Sequence, residues 1–247
     1  MGKAHIGCSG YLYNHWRDGV FYPQNLPQKE EFSYYSSVFS TVELNSTFYR
    51  LPPKKVWQSW EERAPDNFIY SVKMNRFLTH IKRLNDPKDP WKKFWEGASE
   101  LKNHLGPILF QLPPNLAKDK GKLLGLSKIL PKNLYFSFEF RHTSWFDDEI
   151  YEFLQKNNWA LTVVSHPSLP FIPKTTASFG YLRFHGEKSL YGSSYSQERL
   201  KYFAKLINGW LKKNLDVYAY FNNDFAGFAP KNALYLNQLL AFGADRR

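Results

Sequence analysis

The chain has 247 residues, of which 43% are apolar and 22% charged, a balance that excludes a disordered polymer and supports an ordinary globular core. The single Cys8 rules out an internal disulfide and a cysteine-rich zinc site. Lys and Arg number 33 against 22 Asp and Glu, a formal charge of +11. That excess favours an anionic partner: nucleic acid, a phosphorylated metabolite, an acidic sugar or a lipid surface.

Eight β-rich runs follow one another along the chain: Ala4–Gly10, Ser40–Tyr49, Phe68–Asn75, Pro107–Pro113, Tyr135–His142, Ala160–His166, Phe179–Gly186 and Asp216–Asn223. Helical periods lie between them. Trp91, Phe94, Trp95, Ala98, Leu101 and Leu105 recur at a spacing of three to four, as do Ile150, Phe153 and Leu154, and Leu200, Phe203, Ala204, Ile207, Trp210 and Leu211. Asp147 and Ser196 are suited to cap helices, and Pro230 to a first helical turn. Between the sixth and seventh runs, Pro167, Pro170 and Pro173 predict a crossover helix that is short or missing.

Strand–helix alternation with right-handed crossovers gives a parallel sheet, and eight units in about 250 residues is the size of a closed (β/α)8 barrel. The predicted fold is therefore α/β, a TIM-barrel-like single domain over residues 1–247 with eight parallel strands. An open doubly wound sheet is the competing arrangement, but no Gly-rich dinucleotide fingerprint follows the first strand, so no dinucleotide cofactor is assigned. Residues 1–20 contain no apolar targeting core, and no apolar run approaches the roughly 20 residues of a membrane helix, so the expectation is a cytoplasmic protein with no membrane partner.

Strand parity separates two faces in each run. Phe136, Phe138 and Phe140 belong under helices, which turns Ser137, Glu139 and Arg141 toward the barrel axis. The same sorting points Glu43, Asn45 and Thr47 inward, with Ser71, Lys73, Gln111, Tyr181, Arg183, His185, Tyr220 and Asn222. His5, Gly7 and Ser9 come from the first run, while Cys8 faces outward as inert core. Barrel interiors are ordinarily filled by Val, Ile and Leu, and active sites sit at the C-terminal ends of the strands. Buried charges must pair or meet a ligand. The loops after the strands add Tyr11, Tyr13, Trp16, Tyr49, Arg50, Trp145, Tyr191, Tyr195, Asp224 and Phe225, an aromatic rim above a charged floor.

The segments IGCSGYLYNHW (6–16), FYP (21–23), TVELNSTFYRLP (41–52), LGPILFQLPP (105–114), FEFRHTSWF (138–146), YLRFHG (181–186) and YFNND (220–224) resemble the YecE-like proteins, the domain-of-unknown-function family 72. The Lys73 strand and the Asn232-Ala233 step match as well, and the likeness runs from about residue 4 to 242. The resemblance implies a TIM-barrel-like fold and no particular activity. In one departure, this chain has Ser165, followed by His166, where the sixth strand of many relatives ends in aspartate. A mechanism needing a carboxylate there does not carry over.

Three chemistries compete for the inward groups. Glu43 and Glu139 form a carboxylate pair of the kind that runs general acid–base or glycoside chemistry, with His185 as proton carrier. The structural alternative makes each an ion-pair partner, Glu139 with Arg141 or Arg183 and Glu43 with Lys73. Arg141, Arg183 and Lys73, helped by His142, form an oxyanion clamp for phosphate or carboxylate. A divalent metal on Glu43, Glu139, His185 and Asp224 is disfavoured by the neighbouring cations, so no metal ligand is assigned. His5, His80, His104 and His166 read as ordinary polar or surface residues. Asn45, Gln111 and Asn222 are expected to orient a substrate, and Tyr49, Trp145 and Tyr191 to stack on its ring or exclude water.

The leading expectation is thus a hydrolase or lyase acting on a small anionic substrate. A nucleic-acid-binding or nuclease-like barrel is the alternative, carried by basic clusters at Lys54-Lys55, Lys92-Lys93, Lys118/Lys120/Lys122, Lys212-Lys213 and Arg246-Arg247. Carbohydrate binding through the aromatic rim is a third reading.

Overall fold

A computed structural model of the chain describes residues 1–244. Arg246-Arg247 of the basic clusters therefore lie outside the described residues. Eight strands are present: β1 (Ala4–Cys8), β2 (Thr41–Leu44), β3 (Ile69–Lys73), β4 (Leu105–Gln111), β5 (Phe136–Glu139), β6 (Trp159–Ser165), β7 (Phe179–Phe184) and β8 (Asp216–Phe221). The helices are α1 (Glu31–Val38), α2 (Ser46–Tyr49), α3 (Lys54–Glu62), α4 (Lys88–Ala98), α5 (Lys120–Ser127), α6 (Asp148–Lys156), α7 (Gln197–Leu211) and α8 (Phe228–Ala244). The strands close into one parallel barrel in the order β1 to β8, the (β/α)8 arrangement the alternation predicts. Residues 166–178 contain no helix, as the three prolines require.

The second strand is shorter than its composition suggests. The run 40–49 is rich in β-formers, yet the chain leaves the sheet at Asn45, which takes helical angles (φ −93°, ψ −19°), and continues as α2. Hydrogen bonds remote in sequence hold that turn. Thr47 Oγ1 donates to the Lys73 carbonyl at 2.7 Å, and Asn75 Nδ2 donates to the Thr47 and Phe48 carbonyls at 2.8 and 3.2 Å. Tertiary bonding here overrides β propensity, which is a weak preference. Thr47 consequently sits on a helix rather than on an inward strand face.

The described chain divides into two compact units. The first comprises Met1–Glu43, Val163–Lys174 and the chain from Phe179 through α8. Here β7, β8 and β1 run in continuous register, with Arg183 and Gly7 both opposite Tyr220. The inward face is built of aromatic and polar layers. His5 stacks on Tyr218 at 4.7 Å, Tyr181 lies 5.4 Å from Tyr220, and the Tyr220 hydroxyl bonds Thr41 Oγ1 at 2.8 Å. Gly7 makes the close strand approach possible: a Cβ there would lie 2.2 Å from the Thr41 carbonyl oxygen. Outside the sheet, α7 buries Leu200, Phe203, Ala204, Ile207, Trp210 and Leu211, the six positions its periodicity marks. Ser196 caps it by accepting from the Arg199 N–H.

The second unit comprises Leu44–Thr162 and Thr175–Ser178. Strands β4 and β5 pair from Ile108 and Phe136 to Gln111 and Glu139. The outward Phe ladder of β5 is continuous with its neighbours: Phe138 stacks on Phe110 at 5.1 Å and on Trp159 at 4.7 Å. Each such burial contributes about 1.5–3 kcal/mol. Asp147 caps α6, which buries Ile150, Phe153 and Leu154. Among the described residues, no helix is long and apolar enough to cross a membrane.

Candidate functional site

Each unit holds some of the expected site residues. In the first unit Glu43 is fully buried beside Arg183, which is 1% exposed. Arg183 donates from Nη2 to Glu43 Oε1 at 2.7 Å and from Nε to both carboxylate oxygens at 3.1 and 3.0 Å. Ser9 Oγ donates to Oε1 and the Tyr181 hydroxyl to Oε2, each at 2.7 Å. Burial first, and then the Glu43 charge, push the Tyr181 phenol far up, so it remains a donor. Glu43 thus pairs with Arg183. Four donor groups on one carboxylate satisfy it without any ligand.

His185 is buried at the end of β7. Its Nε2 lies 3.4 Å from Arg183 Nη1, and its Nδ1 lies 3.2 Å from the Asn222 side-chain amide. Arg183 Nη1 and Asn222 Nδ2 are both donors, so whichever ring nitrogen lacks the proton accepts from the one beside it, and the imidazole tautomer decides which contact is a hydrogen bond. Tyr191, 41% exposed, meets the His185 ring edge-on at 5.6 Å. The Ser165 carbonyl, at the end of β6, accepts the His185 backbone N–H at 2.9 Å. At the end of β8, the Asp224 carboxyl is pushed up by burial and lies 3.4 Å from His15 Nε2.

The second unit holds others. Glu139 is fully buried at the end of β5. It forms an ion pair with Arg141, whose Nε donates to Oε1 at 2.5 Å, and accepts Gln111 Nε2 at 2.8 Å. Lys73, at the end of β3, places Nζ 4.0 Å from the centre of the Phe48 ring, a cation–π contact. The edge of the same ring meets His80 at 4.9 Å, and the Thr79 hydroxyl bonds His80 Nδ1 at 2.9 Å. Burial, then the positive charges of Lys73, Arg76 and Arg141, lower His80 to about 4, against a smaller opposing effect of Glu139. The Asn45 side-chain oxygen is buried without a hydrogen-bond partner. Buried polar atoms are rarely left so, and an orphaned acceptor is a place for a ligand donor.

Several expected rim residues are core. Trp145 is fully buried; its ring lies parallel to Phe140 at 4.7 Å and its Nε1 donates to the Leu116 carbonyl at 2.7 Å. The short turn Thr143–Trp145 folds the indole onto the outward Phe ladder, so it faces no substrate. Tyr11, Trp16 and Tyr195 are buried as well, whereas Tyr49, Tyr191 and Phe225 are exposed. The basic clusters are partly neutralised: Lys118 and Lys120 bridge to Glu149, and Lys54 to Glu100. Among the described residues, no three His, Cys, Asp or Glu side chains gather as a metal site.

From the sequence His80 reads as an ordinary polar or surface residue, and Arg76 carries no signal of its own. Both follow β3 within a few residues of its C-terminal end, the place barrels build their sites, and that position was the available signal. Their segment is a π-helical turn, Phe77–Ile81, a form with no clear sequence period.

A family profile described as "Protein of unknown function DUF72" matches residues 5–246. The chain is 27% identical to the UPF0759 protein YunF of Bacillus subtilis, over 96% of this chain and 94% of that protein. It is 28% identical to the UPF0759 protein YecE of Escherichia coli K12 over 113 residues, 45% of this chain and 42% of that protein. Among solved structures it is similar to a DUF72 family protein from Thermotoga maritima (TM-score 0.86, 31% identity, 97% of this chain and 99% of the other). A DUF72 family protein from Enterococcus faecalis, at 20% identity and TM-score 0.82 over 96% of this chain and 95% of the other, shares the fold.

Proposed function

The chain belongs to the DUF72 family, whose description gives no activity, and we propose that this member is a hydrolase or lyase that binds a small anionic substrate around Lys73, Arg76 and Arg141. The observation that carries this reading is the state of His80. Burial first, and then the charges of Lys73, Arg76 and Arg141 against that of Glu139, lower the imidazole to about 4. A phosphate or carboxylate bound by those cations offsets their part of the shift and raises the basicity of His80. Substrate binding thereby moves the imidazole toward the range in which it accepts a proton efficiently. Glu139, fixed by Arg141 and Gln111, is the second proton-transfer group, and Asn45 Oδ1 accepts a substrate hydroxyl or amide. Glu43 and Arg183 in this reading are structural, since each satisfies the other.

Calorimetric titration of inorganic phosphate at low ionic strength tests the proposal. Lys73→Met and Arg76→Gln should each weaken phosphate binding about tenfold or more, the scale of a hydrogen bond to a charged group. Arg76 is exposed, so its replacement leaves the fold intact. Phosphate binding that is indifferent to both substitutions would overturn the proposal.

A further inference from the structure

A cavity of about 600 Å³ opens in the second unit beside α2, the π-helical turn and the N-terminal end of α4. It has the volume of an ordinary small-molecule site, which is 300–1,000 Å³ on general grounds. Two aromatic rings border it that are not absorbed into the core: Tyr49, 71% exposed, and Phe77, 47% exposed. Arg50 and Lys93 also line it, and neither has an ion-pair partner among the described residues. Asp89, which also lines it, has none either.

The backbone around this cavity is strained. Arg83, Leu84 and Asp86 all lie in the left-handed region, with φ of 49°, 63° and 43°. Such conformations are unfavourable for residues other than glycine and persist where the surroundings fix them, often at ligand clamps. Here the Leu84 N–H donates to the Leu78 carbonyl at 2.9 Å, Lys82 closes on Asp86 at 3.4 Å, and Asn75 Oδ1 accepts the Phe77 N–H at 2.9 Å. The strained loop and the π-helical turn together present Phe77, Leu78, Lys82 and Asp86 to one cavity.

From the two exposed rings, the cations Arg50 and Lys93 and the carboxylate of Asp89 that line one cavity, we infer that this is a binding site for a mononucleotide. The base lies against Tyr49 and Phe77, the phosphate takes Arg50 and Lys93, and Asp89 accepts from the sugar hydroxyls. Aromatic stacking tolerates any base, and charge-assisted bonds hold the phosphate. This site is additional to the anion site around His80 and does not depend on it.

The test is titration of the intact protein with AMP, adenosine and inorganic phosphate by calorimetry. AMP should bind more tightly than either fragment. Tyr49→Ala and Phe77→Ala should each weaken AMP about tenfold, while leaving phosphate binding around Lys73 unchanged. Tyr49→Phe should retain the AMP affinity. Arg50→Ala and Lys93→Ala should weaken AMP without altering adenosine. The inference is overturned if AMP fails to bind at millimolar concentration, if its affinity ignores Tyr49→Ala and Phe77→Ala, or if phosphate alone binds as tightly as AMP to Lys73→Met, in which the other anion site is weakened.

Discussion

Replacing Glu43 by Gln separates a structural role from a catalytic one. The substitution keeps the shape of the side chain and an acceptor for Ser9 or Tyr181, but removes the charge opposite Arg183. The guanidinium, 1% exposed, would then have lost the charge its three short N–H···O contacts now meet. Removing one partner of a buried pair typically costs about 3–5 kcal/mol, because the other charge is left desolvated. Total stability of a domain is about 5–15 kcal/mol, so the loss is a large fraction of it. At about 2–4 °C per kcal/mol for a chain of this size, the melting temperature should fall by roughly 6–20 °C. Urea unfolding followed by circular dichroism reads the same loss as a lower midpoint at unchanged slope. The double variant Glu43→Gln/Arg183→Met removes both charges and should recover much of the loss. A single-variant loss below about 1 kcal/mol, or a double variant no more stable than the single, would refute the reasoning.

Trp145→Ala should destabilise by about 3–5 kcal/mol in urea unfolding, as a fully buried indole, whereas Tyr49→Ala at an exposed ring should stay within about 0.5 kcal/mol. Burial raises the Asp224 carboxyl, so its folded form holds a proton the unfolded form has released; this stability is present at pH below about 3.8 and is lost as pH rises through the raised value. Asp224→Asn should therefore raise the melting temperature at pH 7 more than at pH 3. His80 has the opposite sign among its neighbours: its folded value is about 4 against an unfolded value of 6.5. Its contribution is present above pH 6.5 and is lost as pH falls to 4, a loss of order 1 kcal/mol after solvent screening at a part-buried ring. His80→Gln should flatten the melting profile in that window.

The barrel was legible because its signals are local and repeated. Each strand run carries its own alternation, and α7 declares its buried face in six residues. Parity also brought Glu43, Arg183 and Tyr181 to one face, and the structure joins them directly. Pairing was less legible, since parity gives a face but not which of several cations lies across it, and only the structure shows Arg183 on Glu43. Trp145 was misread because a loop aromatic after a strand looks the same whether it faces solvent or folds back, and Phe140 decides which. The end of β2 was hidden for a different reason. The bonds that turn Asn45 into α2 come from Lys73 and Asn75, nearly thirty residues away. His80 was missed because its environment is made of charges on β3, its own turn and β5, and no run of sequence contains all three.

The most direct measurement is an NMR titration of the His80 imidazole with pH, in the absence and presence of saturating phosphate, assigned by loss of the signal in His80→Gln. The account predicts a midpoint near 4 without phosphate. It predicts an upward movement of about one unit or more when the anion occupies the cationic surroundings. A midpoint at the ordinary histidine value without phosphate, or one that phosphate leaves where it was, would contradict it.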